Sequence, residues 1–177
     1  MKTVLITGGI ASGKSEMRKY LASLGYPVYD CDSRVKALYD EVPGLKARVE
    51  EAIGLPFSQV GIIFSDSGKR EALEAVVYPE LIKDIHAWKA GLGDADLCFI
   101  ESAIAAEKPL FDSEYDEIWM VSAPAGLRMK RNPLAASRMG AQNPQAVKAD
   151  VLIENSGSLD DFHSRILNLL KQYKTDY

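Results

Sequence analysis

Residues 8–15 read Gly-Gly-Ile-Ala-Ser-Gly-Lys-Ser, and this stretch decides the fold. The pattern G-x-x-x-x-G-K-S is typical of a loop that surrounds phosphate groups with its backbone N–H groups. Residues 3–6 before it form a short apolar, partly β-branched run that suits a buried strand. The residues after it repeat an apolar side chain at the spacing of one helix face: Met17, Tyr20, Leu21 and Leu24. We therefore predict strand, phosphate-binding loop and helix in that order, and the strand and helix disfavour the alternative of a chance match in a glycine-rich turn.

The residue types of the loop predict how it would hold a nucleotide. Glycines let the backbone approach phosphate oxygens closely, and the N-terminus of the following helix adds a partial positive charge. Lys14 is predicted to contact the β- and γ-phosphates, and the Ser15 hydroxyl to bind Mg²⁺. The predicted ATP-binding residues of this segment are Gly9, Ile10, Ala11, Ser12, Gly13, Lys14, Ser15 and Glu16.

Length and composition limit the class of protein. The chain has 177 residues, 47% hydrophobic and 26% charged, as expected for one globular domain with room for a small inserted lobe. A net charge of −4 argues against a nucleic-acid-binding surface. Cys31 and Cys98 lie in or beside apolar runs and are expected to be reduced thiols. We find neither a leader peptide nor an apolar run of about 20 residues, so we expect a cytoplasmic protein without membrane contact. We expect it to be a monomer or a small homo-oligomer.

The remaining apolar runs complete an α/β architecture. They predict four further strands, at residues 27–29, 97–101, 118–121 and 151–153. Strands that alternate with helices indicate a five-stranded parallel sheet flanked by helices, the fold of a P-loop NTPase. Residues 33–94 are too many for one crossover and are mainly helical in pattern, so they predict a helical insert that binds the phosphoryl acceptor. Within it, we predict a helix that starts at Ser65-Asp66 and a further helix with Pro79 in its first turn.

Carboxylates follow two of the strands. Asp30 and Asp32 come after the second strand, where one of them can meet a substrate if the extended segment continues, or where they can cap the next helix. Glu101 ends the third strand. It is a candidate to orient Mg²⁺ through water or to position an acceptor, and an ordinary strand-end carboxylate is the alternative.

A long segment without acidic residues lies between the last two strands. Residues 118–149 contain no Asp or Glu, although the chain carries 25 of them, and they include Arg128, Lys130, Arg131, Arg138 and Lys148. This pattern favours a cationic lid over ATP phosphates, at residues 124–148, because arginine neutralises the charge that spreads over a transferring phosphoryl group. A solvated basic helix face is the alternative.

Taken together, these motifs resemble those of the dephospho-CoA kinase family. The strongest likeness lies in residues 5–15 and 24–32, which are similar to the family's T-G-G-I-G-S-G-K-S loop and following D-x-D. Further likeness lies in segments 63–66, 79–82, 101–104, 138–142 and 149–157. The resemblance implies a single P-loop kinase domain, 1–177, that transfers the γ-phosphoryl group of ATP to the ribose 3′-hydroxyl of dephospho-CoA in coenzyme A biosynthesis. It also implies roles for Asp32 as general base, Lys14 and Arg138 in catalysis, and Arg131 and Asn155 in ATP binding.

Several positions depart from the family pattern. Glu16 stands where the family has a threonine or serine that meets the α-phosphate, and a carboxylate there is expected to repel it. Tyr78 replaces a histidine before Pro79, and only nine residues separate Arg131 from Ala141. These departures leave two alternatives: a related kinase with another nucleotide-like acceptor, or a non-catalytic ATP-binding paralogue. Two histidines, His86 and His163, stand alone on predicted helices and are expected to be ordinary surface or boundary residues.

Overall fold

The computed structural model describes residues 1–133 and 147–173, apart from the side chain of Phe64. Five strands form one parallel sheet in the order β2-β3-β1-β4-β5, which confirms the predicted sheet. The strands are β1 (Lys2–Thr7), β2 (Val28–Asp30), β3 (Leu97–Glu101), β4 (Glu117–Ser122) and β5 (Val151–Glu154). The third strand has the predicted bounds, and the others differ by one residue at one or both ends.

Helices occupy the connections between these strands. The α-helices of the described residues are α1 (Lys14–Ser23), α2 (Cys31–Glu41), α3 (Leu45–Ile53), α4 (Ser67–Ala90), α5 (Ala125–Arg131) and α6 (Leu159–Tyr173). Short 3₁₀ helices cover Phe57–Ser65, Ala105–Glu107 and Pro109–Glu114. No helix of the described residues has the length and apolar content that a membrane span requires. The chain divides into two compact units, residues 30–93 and the described residues on either side of them.

The core of the sheet-containing unit surrounds β1. Its central position follows from its sequence, because Val4, Leu5 and Ile6 are fully buried and need cover on both faces of the sheet. β1 pairs in parallel with β3 on one side and β4 on the other. Helices α1 and α6 add a continuous apolar layer to this core: Met17, Leu21, Phe162, Ile166 and Leu170. Burial of this layer fixes α1, and therefore the loop that precedes it, against the sheet.

The unit of residues 30–93 is held by charged contacts between its helices as well as by apolar burial. The Arg34 guanidinium donates to Asp84 Oδ2 and Oδ1 at 2.8 and 2.9 Å, which joins α2 to α4. It also donates to Glu41 Oε2 at 2.7 Å. The hydrogen bonds that Arg34 donates to Asp84 and then to Glu41 raise the pKa of Arg34, so it stays charged. Helices α3 and α4 also bury apolar side chains in this unit: Leu45, Val49, Ile53, Val77, Leu81 and Ile85.

Two local predictions in this unit are wrong. Pro79 lies inside α4, a single helix of 24 residues, and does not start a second one. Proline removes one helical hydrogen bond, and burial of Val77 and Leu81 on either side keeps the helix continuous. The extended segment after the second strand also stops earlier than predicted, because α2 begins at Cys31.

Candidate nucleotide-binding site

The loop between β1 and α1 has a backbone that requires glycine at two positions. Gly8 has φ 142°, and a Cβ atom there would lie 2.2 Å from the Val121 carbonyl oxygen. Gly13 has φ 118°, and a Cβ atom there would lie 2.2 Å from Asn155 Nδ2. Any larger residue at Gly8 would therefore push the loop off strand β4. The loop ends at Gly13, where α1 begins with Lys14 as its first residue.

Ala11 lies in the middle of this loop in the left-handed region, with φ 58°. It is the one non-glycine residue with a positive φ among those the structure describes. Left-handed backbone costs an L-residue about 1 kcal/mol, because Cβ approaches the following carbonyl oxygen. The loop is therefore strained at Ala11.

The Lys14 side chain folds back along the loop. Its ammonium group donates to the carbonyl oxygens of Gly8 at 2.8 Å and Gly9 at 3.2 Å. A lysine ammonium is a compact charge on a flexible stem, so it can exchange carbonyl oxygens for phosphate oxygens at little cost. This geometry agrees with the predicted contact with phosphates, and the contact itself stays a prediction.

Two arginines of α5 lie against the same loop. Arg128 Nε donates to the Ile10 carbonyl oxygen at 2.7 Å. Arg131 donates to the Ser12 carbonyl oxygen at 3.3 Å and to Asn155 Oδ1 at 3.2 Å. All of these acceptors are uncharged, and neither arginine forms an ion pair within the described residues. Both guanidinium groups therefore keep their full positive charge beside the loop.

Arg128 was not among the predicted ATP-binding residues, although Arg131 was. The signal that could have found it is the spacing of three residues, which places both side chains on one face of a helix. Arg138, the lid arginine with a predicted catalytic role, lies outside the described residues. So do the other residues from 134 to 146 of the predicted lid at residues 124–148.

Asn155 follows β5 and braces the loop from the other side. Its side chain is 7% exposed, and Nδ2 donates to the Ser12 carbonyl oxygen at 2.9 Å. Its backbone N–H donates to the Ser122 carbonyl oxygen at 2.7 Å. The Asn155 amide is thus bonded to the loop backbone, and its predicted part in ATP binding stays a prediction.

Ser15 and Glu101 bring oxygen atoms together at the ends of α1 and β3. The Ser15 hydroxyl donates to Glu101 Oε1 at 3.4 Å. Glu101 is 9% exposed, and its Oε2 lies 2.7 Å from Arg18 Nε. The Arg18 contact compensates the cost of burying the carboxylate.

Glu16, the third residue of α1, contacts α6. Its Oε1 lies 3.0 Å from His163 Nε2, and the imidazole ring stacks on Tyr20 with centroids 3.7 Å apart and planes 1° apart. His163 is a partly exposed boundary residue, as expected, but it has a partner that the sequence does not reveal. Two helices far apart in sequence bring Glu16 and His163 together, and neither helix pattern indicates this.

In the other unit, the two aspartates of D-x-D have different surroundings. Asp30 caps α2, since its carboxylate accepts from the Ser33 N–H at 3.1 Å and from the Ser33 hydroxyl at 2.7 Å. Asp32 lies exposed in the first turn of α2. The expectation that Asp30 and Asp32 point the same way along an extended segment does not apply to a helix.

Tyr78 is buried in α4. Burial raises the pKa of its phenol, the Glu74 and Asp32 carboxylates raise it further, and Arg70 lowers it. The phenol is therefore neutral over the physiological pH range, and its O–H donates to the Glu74 carboxylate.

This arrangement, a glycine loop between a central parallel strand and a helix with lysine and serine in its first turn, defines a P-loop kinase fold. A crystal structure of a protein from Thermus thermophilus, 30% identical, superposes with a TM-score of 0.78 over 97% of both chains. A dephospho-CoA kinase from Campylobacter jejuni, 19% identical, has the same fold, with a TM-score of 0.68 over the full length of both chains. No family model matches the sequence.

Relatives of curated function define the family. The chain is 39% identical to the dephospho-CoA kinase of Porphyromonas gingivalis over 140 residues, which cover 74% of this chain and 68% of that protein. It is 30% identical to the dephospho-CoA kinase of Carboxydothermus hydrogenoformans over 196 positions, covering 96% and 93%. The chain belongs to the dephospho-CoA kinase family.

Proposed function

We propose that this protein transfers the γ-phosphoryl group of ATP to the ribose 3′-hydroxyl of dephospho-CoA in the cytoplasm. The observation that carries the proposal is the pair of guanidinium groups, Arg128 and Arg131, that lie on the glycine loop with their charge unneutralised within the described residues. A cationic loop of this kind fits a polyphosphate, and the family membership supports dephospho-CoA as the acceptor.

The loop supplies charge for phosphoryl transfer. In the proposed reaction, the bond from the γ-phosphorus to the ADP oxygen breaks, and a bond to the 3′-oxygen of the acceptor forms. Negative charge spreads over the transferring oxygens, and Lys14 offers an ammonium group to the β- and γ-phosphates. Arg131 and Arg128 donate hydrogen bonds to carbonyl oxygens of the loop, which hold its backbone in place, and they add positive charge beside it.

The residues around Ser15 fit Mg²⁺. Magnesium in kinases takes one or two protein oxygens and completes its shell with phosphate oxygens and water. The Ser15 hydroxyl and the Glu101 carboxylate supply such oxygens 3.4 Å apart. No cluster of three acidic, histidine or cysteine side chains that could bind a metal alone occurs in the described residues, and a phosphate-bound ion does not need one. When bound, Mg²⁺ would neutralise phosphate charge.

We assign Asp32 as the general base, which accepts the proton of the acceptor hydroxyl. Asp30 already accepts hydrogen bonds from Ser33 as the cap of α2, whereas Asp32 is exposed in the first turn. A carboxylate that takes the hydroxyl proton as the new P–O bond forms accelerates transfer by about 10²–10⁴-fold.

The deciding experiment measures ADP release from Mg·ATP with and without dephospho-CoA. We expect acceptor-dependent turnover that falls by about 10²–10⁴-fold in Asp32→Asn while ATP binding by calorimetry is retained. Asp40→Asn is the matched control, since it removes the same charge from an exposed position of the same helix and should retain turnover.

Each alternative has its own outcome in this assay. Turnover stimulated only by another nucleotide-like acceptor would replace dephospho-CoA as the substrate, and ATP binding without turnover on any acceptor would indicate a non-catalytic paralogue. Near-normal turnover of Asp32→Asn would remove Asp32 from the role of base.

A further inference from the structure

Glu16 places a carboxylate in an unfavourable position for a phosphate-binding protein. It lies in the first turn of α1, directly after Lys14 and Ser15. The N-terminus of a helix attracts negative charge, so a carboxylate there stabilises the helix but competes with a bound phosphate for the same positive potential. A free carboxylate at this point would weaken polyphosphate binding.

The structure directs this carboxylate toward α6. Glu16 Oε1 lies 3.0 Å from His163 Nε2, and an ionised carboxylate only accepts hydrogen bonds, so Nε2 donates. The ring of His163 lies flat on Tyr20, with centroids 3.7 Å apart and planes 1° apart. Stacking on Tyr20 limits rotation of the imidazole and aims Nε2 at Glu16.

Core packing fixes the backbone on both sides of this contact. Met17, the neighbour of Glu16, is fully buried, and Phe162, the neighbour of His163, is 1% exposed in the same apolar cluster. The two side chains are themselves only partly exposed, 38% for Glu16 and 22% for His163. The pair is therefore held by the core and not by a chance surface encounter.

We propose that His163 is a positioning residue for nucleotide binding, which holds the Glu16 carboxylate on the α6 side of α1 so that polyphosphate can bind at the helix N-terminus. The inference rests on the proposed function, in that the loop binds ATP. It assigns the pair Glu16–His163 a joint role: the histidine makes an acidic residue tolerable beside the phosphates.

The test measures affinity for adenosine, ADP and ATP by calorimetry without any acceptor. His163→Phe keeps an aromatic ring on Tyr20 and removes the Nε2 donor, so we expect ATP affinity to fall by roughly two- to fivefold, ADP affinity by less, and adenosine affinity to stay unchanged. His163→Gln restores an amide donor and should recover most of the lost ATP affinity. In a Glu16→Thr background, His163→Phe should have no effect on ATP affinity.

A matched control lies two residues further along the same helix. Arg165 is 51% exposed, and its guanidinium lies 4.0 Å from Glu154, so Arg165→Gln breaks a peripheral pair and should leave all three affinities unchanged. Equal losses for adenosine and ATP in His163→Phe would indicate a structural role and overturn the inference, as would the same loss in the Glu16→Thr background. Wild-type protein that binds ATP but does not act on dephospho-CoA would refute the proposed acceptor and leave this inference standing if the affinities follow the expected pattern.

Discussion

The amino ends and the carboxyl ends of the strands, here called the amino edge and the carboxyl edge of the sheet, differ in the partners of their charged groups. At the amino ends of the strands, the Glu117 carboxylate accepts from Trp119 Nε1 at 2.7 Å and from the Tyr173 hydroxyl, and it pairs with Lys2. At the carboxyl ends, Arg128 and Arg131 donate to uncharged carbonyl and amide oxygens. At the amino ends a carboxylate meets an opposite charge. At the carboxyl ends Glu101 is likewise paired with Arg18, but Arg128 and Arg131 have no acidic partner within the described residues.

This difference indicates why we propose the carboxyl ends of the strands as the anion-binding site. A charge already paired within the protein has little to gain from a ligand, whereas a guanidinium group on carbonyl oxygens gains the full attraction of a phosphate. The paired groups of the amino edge contribute to folding, and the unmatched groups of the carboxyl edge are available to a ligand. Each of the following predictions separates those two roles.

The largest difference is expected between two lysines, one at each edge. Lys14→Ala should lower turnover with Mg·ATP and acceptor by about 10³-fold or more, because it removes charge from the β- and γ-phosphates. Lys2→Ala removes the same charge from the amino edge and should retain wild-type turnover at 25 °C. Comparable activity of the two variants in steady-state assays would contradict the assignment of the edges.

A smaller effect, on stability, is expected for Glu117→Gln. Burial tends to raise the pKa of Glu117, but hydrogen bonds from Lys2, Tyr173 and Trp119 outweigh it, so the pKa lies below the value in the unfolded chain. The stabilisation is therefore fully present above the unfolded pKa and is lost as pH falls through the folded pKa. The variant should lose about 1–2 kcal/mol of unfolding free energy at pH 7, and the difference should vanish in acid. Urea titrations at several pH values measure this, and a difference independent of pH would exclude the charge as its cause.

The smallest effect is expected in the loop itself, at Ala11. Ala11→Gly should raise the free energy of unfolding by about 0.5–1 kcal/mol, because glycine adopts φ 58° without strain. Ala22→Gly, at an exposed site inside α1, should change it in the opposite direction by a similar amount. Destabilisation by Ala11→Gly in urea titration would show that the loop is not strained there.

Local pattern was sufficient for some features and insufficient for others, and particular residues show why. The apolar run before Gly8 predicts β1, and the apolar spacing after Lys14 predicts α1. A helix that buries one face must repeat apolar residues at the spacing of that face, so the pattern is visible in the sequence. Gly25, which follows α1, has the left-handed backbone that glycine commonly adopts just after a helix, with φ 88°. Pro79 was misleading, since a helix tolerates proline when buried neighbours on both sides hold it. The sequence assigns Arg128 to the cationic lid but not to the glycine loop, because its hydrogen bond to the Ile10 carbonyl oxygen depends on tertiary packing.

By itself, the sequence determined the sheet, the glycine loop and the membership of a kinase family, since these depend on short-range spacing and on residue types. Only the tertiary structure decided the partners of the polar side chains. It turned Glu16 toward His163, bonded Asn155 and Arg131 to the backbone at Ser12, and gave Asp30 the capping role that leaves Asp32 exposed. The physical reason is range: a hydrogen bond needs its atoms within about 3 Å, and only packing of distant segments brings them that close.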